Sequence, residues 1–525
     1  MFANAEKKLS ALARSGQLAL LGSGLTGLEK ESLRVAPDGH IAQTPHPVAL
    51  GSALTHPWIT TDYSEALLEF ITPPLADPAS AIAYLRDLQH YAYLKLDNEL
   101  LWCSSMPCVL AGDASIPIAQ YGKSNLGLMK TVYRRGLGYR YGRVMQVIAG
   151  AHYNYSFGDA LWPVLQELEG DRRPLQDYVS DRYFHLIRNL QRIGWLVPYL
   201  FGSSPAVCMS FIGGKPTILE EFNDNTYYGP HATSLRICDI GYQNSHEAEA
   251  GFKATYDSLE AYTESLLRAI ETPCPTYEEF GVKVAGEYRQ LNASILQIEN
   301  EYYSSVRPKQ IPAENEKPAL ALRRRGVRYV ELRSLDINVF DPQGISVEQC
   351  RFLETLMAYC LFEDSPHIND EGRREIDHNL DAVGYRGRQP GLLLQRDGTS
   401  VSLQQWAAEI CDAMQAFAGA LDAGAGDGPY SRALETQIEA VRDPERTPSA
   451  RILAAMCEQE EGFYQFTQRM SLQHQRYFLD LPLDPAQAQA FDASATSSLA
   501  RQRDIEAADR IPFDKFLENY FAQQP

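Results

Sequence analysis

Two glutamates, Glu29 and Glu31, stand two residues apart in the stretch GLEKESLRV (27–35). In an extended strand, residues i and i+2 point the same way with Cα atoms roughly 6.6 Å apart. Two carboxylates so placed repel each other unless something positive lies between them. Alone, the pair reads as the solvated face of an edge strand, but three further stretches change that reading. HPWITTDYSEALLEF (56–70) puts Asp62 ahead of a strand and Glu69 in the middle of it. In VMQVIAGAHYNYSF (144–157), read as one strand, His152 shares a face with Asn154, Gln146 and Ile148. YVELRSLD (329–336) puts Glu331 and Arg333 on one face. Three strands thus each carry an acid where sheets ordinarily hold Val or Ile. Burying such acids without partners costs several kcal/mol each, so compensation is expected. Oxygen ligands with one imidazole suit Mg²⁺ or Mn²⁺ better than zinc. Glu29, Glu31, Asp62, Glu69 and Glu331 together exceed what one Mg²⁺ takes, since it keeps waters and binds one or two carboxylates. Several ions shared with nucleotide phosphates would balance the charge.

Two basic, aromatic stretches complement these acids: KTVYRRGLGYRYGR (130–143) and RRRGVRYVELR (323–333). Each has a plain reading as solvated charge. Each also suits small polyanions such as ATP phosphates, because arginine forks bind oxygens bidentately.

The elements that must position these groups follow from periodicity and turn residues. Residues 28–45 read as a hairpin with Asp38-Gly39 at its turn, and 66–72, 144–157 and 327–335 read as strands. Helices are expected over 77–100 and 253–271, and an amphipathic one at the N-terminus using Leu9, Leu12 and Ala13. Ser346-x-x-Gln349 has the form of a capping box. It opens a helix whose apolar face is Cys350, Leu353, Leu356, Met357, Cys360 and Leu361. From there on the pattern is mostly helical, broken by the Gly-rich stretch 418–429. An α+β body over about 20–343 and a helical third over about 344–525 are expected to form one unit spanning 1–525, with no flexible linker.

Bulk properties narrow the function further. The 525 residues are 45% hydrophobic and 22% charged, an ordinary globular composition. A net charge of −19 argues against nucleic acid or an anionic membrane as the main partner. No apolar run approaches the ~20 residues of a membrane span, and the N-terminus lacks the form of a secretory signal. The nine cysteines are scattered without a C-x-x-C pair, which predicts reduced thiols in a cytoplasm. GSGLTG (22–27) matches the dinucleotide fingerprint, but the turn at Asp38-Gly39 leaves little room for the helix that fingerprint requires. IGGKPT (212–217) lacks the first glycine of a P-loop and carries proline after its lysine.

Read together, these stretches resemble the glutamate–cysteine ligases of the proteobacterial type. The resemblance runs from about Gly27 to Phe362 and resumes at PSARIL (448–453). It rests on GLEKESLRV, LGSALTHPWITTDYSEALLEFITP, QYGKSN, GAHYNYSF, PYLFGSSPAVC, ATSLRICDIGYQN, LQIENEYYSSVRPK and YVELRSLDINVF. It is thin over the first twenty residues and over 365–445. The resemblance implies a glutamine-synthetase-like antiparallel sheet curled around ATP and several Mg²⁺ ions. It implies ATP-dependent joining of the L-glutamate γ-carboxyl to the L-cysteine amine through γ-glutamyl phosphate. Glu29, Glu31, Asp62, Glu69, His152 and Glu331 match the family's metal ligands. For cysteine it points to Tyr133, Tyr242 and Tyr303 with Ile148, while Arg236 and Gln146 are candidates for amino-acid carboxylates and Asn154 joins the substrate-facing set. Arg333, beside Glu331, is expected to meet the transferring phosphoryl group, with Arg134 as second candidate. A cytoplasmic monomer acting on small molecules is expected, with Mg²⁺ or Mn²⁺ as cofactor. A ligase using another amine acceptor, and a metal-dependent phosphohydrolase, are the competing readings.

Overall fold

In the computed structural model, residues 3–107, 109–241 and 252–524 are described. Their main sheet is antiparallel and seven-stranded. Its strands are β1 (Leu25–Val35), β2 (Ile59–Thr61), β3 (Leu67–Ile71), β4 (Leu100–Leu101), β5 (Ala151–Ser156), β6 (Val306–Lys309) and β7 (Tyr329–Leu335). The order is β6-β7-β5-β1-β3-β2, with β4 continuing beside the end of β1. The long central β1 pairs on one side with β3 and on the other with β5.

Side-chain alternation splits this sheet into two unlike faces. Leu28, Leu68, Phe70, Tyr153, Tyr155, Val330 and Leu332 point into one large buried core. The helices that share this core include α1 (Ala3–Arg14), α2 (Pro78–Tyr93), α4 (Leu175–Ile193), α5 (Val347–Phe362), α6 (Leu403–Ala425) and α7 (Pro429–Arg442). The other face carries Glu29, Glu31, Glu69, His152, Asn154, Glu331 and Arg333. Helix α3 (Asn125–Tyr141) lies beyond that face and brings in Tyr133 and Arg134. The expected α+β class with an antiparallel sheet is what the chain adopts, and helices fill most of 347–521.

Helix α5 starts where expected, with Ser346 accepting from Gln349 N and the Gln349 side chain accepting from Ser346 N. All six residues of its apolar face are buried. Its Glu354 reaches the sheet from behind: Tyr155 OH donates to Oε1 at 3.1 Å and Tyr430 OH to Oε2 at 2.8 Å.

Several local readings change. The strand expected over 144–157 begins only at Ala151, because Met145–Val147 forms a 3₁₀ turn. Gln146 and Ile148 therefore lie off the strand. The helices expected over 77–100 and 253–271 are shorter, Pro78–Tyr93 and Leu259–Glu271, started by the Asp77 and Ser258 side-chain caps. Gly39 does turn the chain after β1, at φ +82°, but the return is a single bridge between Val35 and Ile41. In the N-terminal helix Ala5, Leu9 and Leu12 are buried whereas Ala13 is exposed. Helix α6 runs through Gly419 and Gly424 to Ala425, because Phe417, Ala418, Ala420 and Leu421 are packed in the core. The thiols are not uniformly free: Cys208 is disulfide-bonded, while the seven other described cysteines are free.

Burial raises the Glu354 pKa from the usual 4.5 to about 7. Folding thus favours its protonated form, a contribution fully present below pH 4.5 and lost as pH rises through 7. Glu354→Gln, whose amide offers one acceptor oxygen and one NH₂ donor to the two hydroxyls and does not titrate, is expected to flatten that part of the stability–pH curve. The difference should be on the order of 3 kcal/mol between pH 5 and 8. Denaturant titrations at several pH values check this, and an unchanged slope would refute it.

Candidate functional site

Strand register sets the acids against one another. Glu31 lies directly opposite Glu69, Glu29 opposite His152, and Glu331 opposite Asn154 on one side and Arg307 on the other. Directly opposed side chains are the closest neighbours a sheet offers. Accordingly His152 Nδ1 lies 2.9 Å from Glu29 Oε2, and Asn154 Nδ2 donates to Glu29 Oε1 at 3.0 Å. A proton on Nδ1 satisfies Glu29 and leaves the Nε2 lone pair facing Glu31 Oε1 at 3.9 Å. Glu331 Oε1 is met by Lys309 Nζ at 3.2 Å and by Arg333 Nη1 at 3.3 Å. Gly150 N donates to Glu31 Oε2 at 2.6 Å. Only glycine fits there, since a Cβ would stand 2.2 Å from Arg236 Nη2.

The balance of charge is uneven across this face. Burial opposes ionisation of Glu331, yet Lys309, Arg333, His152 and Arg307 hold its carboxyl well below the usual range. Burial opposes it at Glu29 too, and the His152 hydrogen bond helps to bring the net shift downward. Glu31 goes the other way: burial and the Asp62 charge push it up to about 8. Glu69 is raised well above its usual value by burial and by Glu29, Asp62 and Glu31. Burial and Arg333 lower the His152 pKa, which favours the neutral imidazole that metals bind.

These residues fit a divalent cation. Glu29, His152 and Glu331 form one set, and Glu31, Glu69 and His152 a second; within each, the ligand atoms lie within 4.8 Å of one another. Glu331 Oε2 and Asn154 Oδ1 are buried with no hydrogen-bond partner, the condition of acceptors awaiting a cation. Carboxylates with one imidazole match Mg²⁺ or Mn²⁺. Asp62 belongs to neither set. It stands at the end of β2, with Oδ1 3.7 Å from Arg134 Nη2, and Arg134 Nε also donates to the Asp62 carbonyl.

Next to Asp62 opens a cavity of about 100 Å³ lined in part by Tyr133, Arg134, Gln146, Tyr303 and Arg333. With Asp62, six sequence-selected residues thus meet around one hollow, although Gln146 reaches it from the 3₁₀ turn. Ile148 is fully buried in the apolar core. Arg236 lies beneath the site: Nη2 donates to the Arg333 carbonyl at 2.9 Å, and Nη1 is 3.9 Å from Asp336. Its charge favours the ionised form of Glu31. Tyr242 lies outside the described residues.

Sequence reasoning passed over Arg307 and Lys309 on edge strand β6. A proline between them argued against a strand, though edge strands tolerate proline; the two-residue spacing of the cations was the available signal. Both also line a second cavity, of about 250 Å³, with Tyr262, Leu266, Leu322 and Tyr329 among its walls. Lys130 was passed over as a single residue. Its pKa is pushed down to about 8 by burial and by Arg134, while Glu69 pulls it up.

Comparison with known proteins shows what the chain as a whole is similar to. A family model described as glutamate–cysteine ligase matches residues 9–383. A glutamate–cysteine ligase of Alcanivorax borkumensis is 49% identical over 521 residues, covering 98% of this chain and 99% of that one. Another, from Pseudomonas entomophila, is 48% identical over 516 residues, covering 98% and 97%. A solved glutamate–cysteine ligase of Francisella tularensis in complex with AMP has a TM-score of 0.89 at 36% identity, over 95% of this chain and 97% of that one. The similarity therefore extends through residues 365–445, where the motifs were thin.

If the two carboxylate–imidazole sets hold cations, Glu331→Gln should weaken Mn²⁺ binding at least ~10-fold in a titration followed by electron paramagnetic resonance. Far-UV circular dichroism should be unchanged. Wild-type affinity in the variant would remove Glu331 from the ligand set.

Proposed function

This chain belongs to the glutamate–cysteine ligase family, and from that premise we propose how its residues divide the work. The enzyme joins the γ-carboxyl of L-glutamate to the amine of L-cysteine with cleavage of ATP to ADP and phosphate, the first step of glutathione biosynthesis. In our reading the nucleotide base occupies the cavity walled by Tyr262, Leu266 and Leu322. Arg307 and Lys309 on its rim then lead the phosphates toward Glu331, Glu29 and His152. The amino acids occupy the smaller cavity beside Asp62, with Arg134 and Arg333 for their oxygens and with Tyr133, Tyr303 and Leu137 as walls. Tyr242 is proposed for the same acceptor pocket on resemblance alone.

One observation carries this reading. Arg333 lies 3.3 Å from Glu331 and also lines the amino-acid cavity. One guanidinium thus borders both the ligand set and the place where the γ-carboxylate would lie. A carboxylate is a poor acyl electrophile. Attack of its oxygen on the γ-phosphorus of ATP, with departure of ADP, gives γ-glutamyl phosphate. The cysteine amine then attacks the acyl carbon, phosphate leaves, and the amine loses a proton. Such transfer depends on positioning and charge neutralisation more than on a covalent protein nucleophile. Mg²⁺ or Mn²⁺ would be held by Glu29, Glu31, Glu69, His152 and Glu331, with Asp62 a further ligand on resemblance alone, and would supply charge neutralisation and Lewis acidity. Arg333 contributes a fork whose hydrogen bonds strengthen as charge spreads over the phosphoryl oxygens.

A coupled ADP-release assay tests the reading. Release is expected to require both glutamate and cysteine, with 2-aminobutyrate a poorer acceptor, since a methyl in place of a thiol changes contacts worth only ~1–3 kcal/mol. Full-rate release with ATP and metal alone would favour the phosphohydrolase reading. Arg333→Lys keeps the charge but loses the paired bonds. It should lower kcat by roughly 10²-fold with cysteine KM little changed. A steep rise in cysteine KM at constant kcat would instead move Arg333 into the acceptor pocket.

A further inference from the structure

The cavity assigned to the amino acids has walls from two distant parts of the chain. Helix α3 supplies Tyr133, Arg134, Leu137 and Tyr141, and residues 300–303 supply Asn300, Glu301 and Tyr303. Behind the cavity these two walls are joined by an ion pair. Arg140 Nη1 donates to Glu301 Oε1 at 2.8 Å, and both side chains have 0% exposure.

Every remaining polar position of the pair is engaged inward. Arg140 Nε and Nη2 donate to Gln290 Oε1 at 3.0 and 2.9 Å, and Nη2 donates to the Asn292 carbonyl at 2.8 Å. Its guanidinium carbon lies 4.0 Å from the centre of the Tyr277 ring. Glu301 Oε1 also accepts from Tyr141 OH at 2.9 Å, and Oε2 accepts from Gln297 N at 2.7 Å. Gln297 continues the connection: Nε2 donates to the Tyr133 carbonyl at 3.2 Å. The approach is so close that a Cβ on Gly136 would stand 2.1 Å from Gln297 Oε1. The Glu301 carboxylate, with 0% side-chain exposure and both oxygens hydrogen-bonded away from the cavity, is not a substrate contact. What it controls is the distance between the helix carrying Tyr133 and the segment carrying Tyr303.

We infer that the buried Arg140–Glu301 pair is the positioning device that sets the width of the acceptor cavity, and with it the preference for an amine bearing a small side chain. The inference rests on the assignment of the Tyr133–Tyr303 side of this cavity to the acceptor amino acid, with glutamate at its Arg333 side. A buried ion pair is weak support for stability but well suited to holding one geometry. Rejecting one extra methylene requires a wall that does not yield, and discrimination of about 10–200-fold is what such a wall supplies.

The test compares steady-state kinetics of the full-length wild type, Glu301→Gln, Gly136→Ala and Tyr303→Ala with cysteine and with homocysteine, which is one methylene longer. Glu301→Gln is expected to leave the KM for ATP and for glutamate within about twofold. It should raise cysteine KM, and shrink the cysteine-over-homocysteine ratio of kcat/KM about 10-fold. Gly136→Ala pushes the same walls apart without stranding a buried charge. It should lose discrimination in the same direction, and it decides the matter if Glu301→Gln does not fold. An unchanged ratio in a folded variant, or equal shifts in all three KM values, would overturn the inference. Tyr303→Ala reports on the premise: if it leaves cysteine KM unmoved, the cavity is not the acceptor site. If it raises cysteine KM while Glu301→Gln and Gly136→Ala do not, the premise stands and the positioning role falls.

Discussion

The opposition of Glu31 and Glu69 across the β1–β3 pairing is the constraint on which the rest of this site depends. A buried carboxylate and a half-buried one directly opposed on one face repel, and the pair resists full ionisation without a compensating cation. On the β7 side the protein supplies its own partners, with the cations Lys309 and Arg333 on Glu331 and the neutral His152 imidazole hydrogen-bonded to Glu29. On the β3 side Arg236 and Arg333 near Glu31 and Arg134 near Glu69 do not outweigh burial and like charge, and both carboxyls are pushed upward. The charge deficit of the site therefore lies on the β3 side, where divalent cations would restore balance.

Such a face needs a rigid backing, because acids free to move apart would relieve the repulsion that makes them ligands. The opposite face of the same strands supplies it. Leu28, Phe70, Tyr153, Tyr155 and Leu332 are locked into a core shared with helices from both ends of the chain. Glu354 ties β5 to helices α5 and α7 through two tyrosine hydroxyls. The helical third thus bears on the chemistry indirectly, by fixing the strands that carry His152 and Asn154.

The two cavities extend this division along the sheet. Arg307 lines both; Lys309 borders only the larger, more apolar one, and Arg134 only the smaller one beside Asp62. A phosphate chain and an amino acid approaching from opposite ends would meet above Arg333 and Glu331. That is the arrangement phosphoryl transfer to a carboxylate requires.

What was legible in the sequence is what local geometry dictates. Period-two alternation put Glu29 with Glu31 and Glu331 with Arg333, and the capping residues of α5 announced its first turn, since each depends only on neighbours in the chain. Where long-range packing decides, local reading failed. The apolar run before Ala151 has strand composition, but Met145–Val147 turns as a 3₁₀ helix. Helix α6 survives its glycines because its other face is buried, and Arg307 and Lys309 were hidden by a proline that only an edge position allows. The sequence by itself determined which residue types would share a face and that their like charges would need compensation, because a strand's alternation is set residue by residue. Only the tertiary structure decided that Glu31 meets Glu69, that His152 meets Glu29, and that Tyr133 and Tyr303 close one cavity. Those pairings depend on register and packing between segments far apart in the chain, which no local pattern encodes.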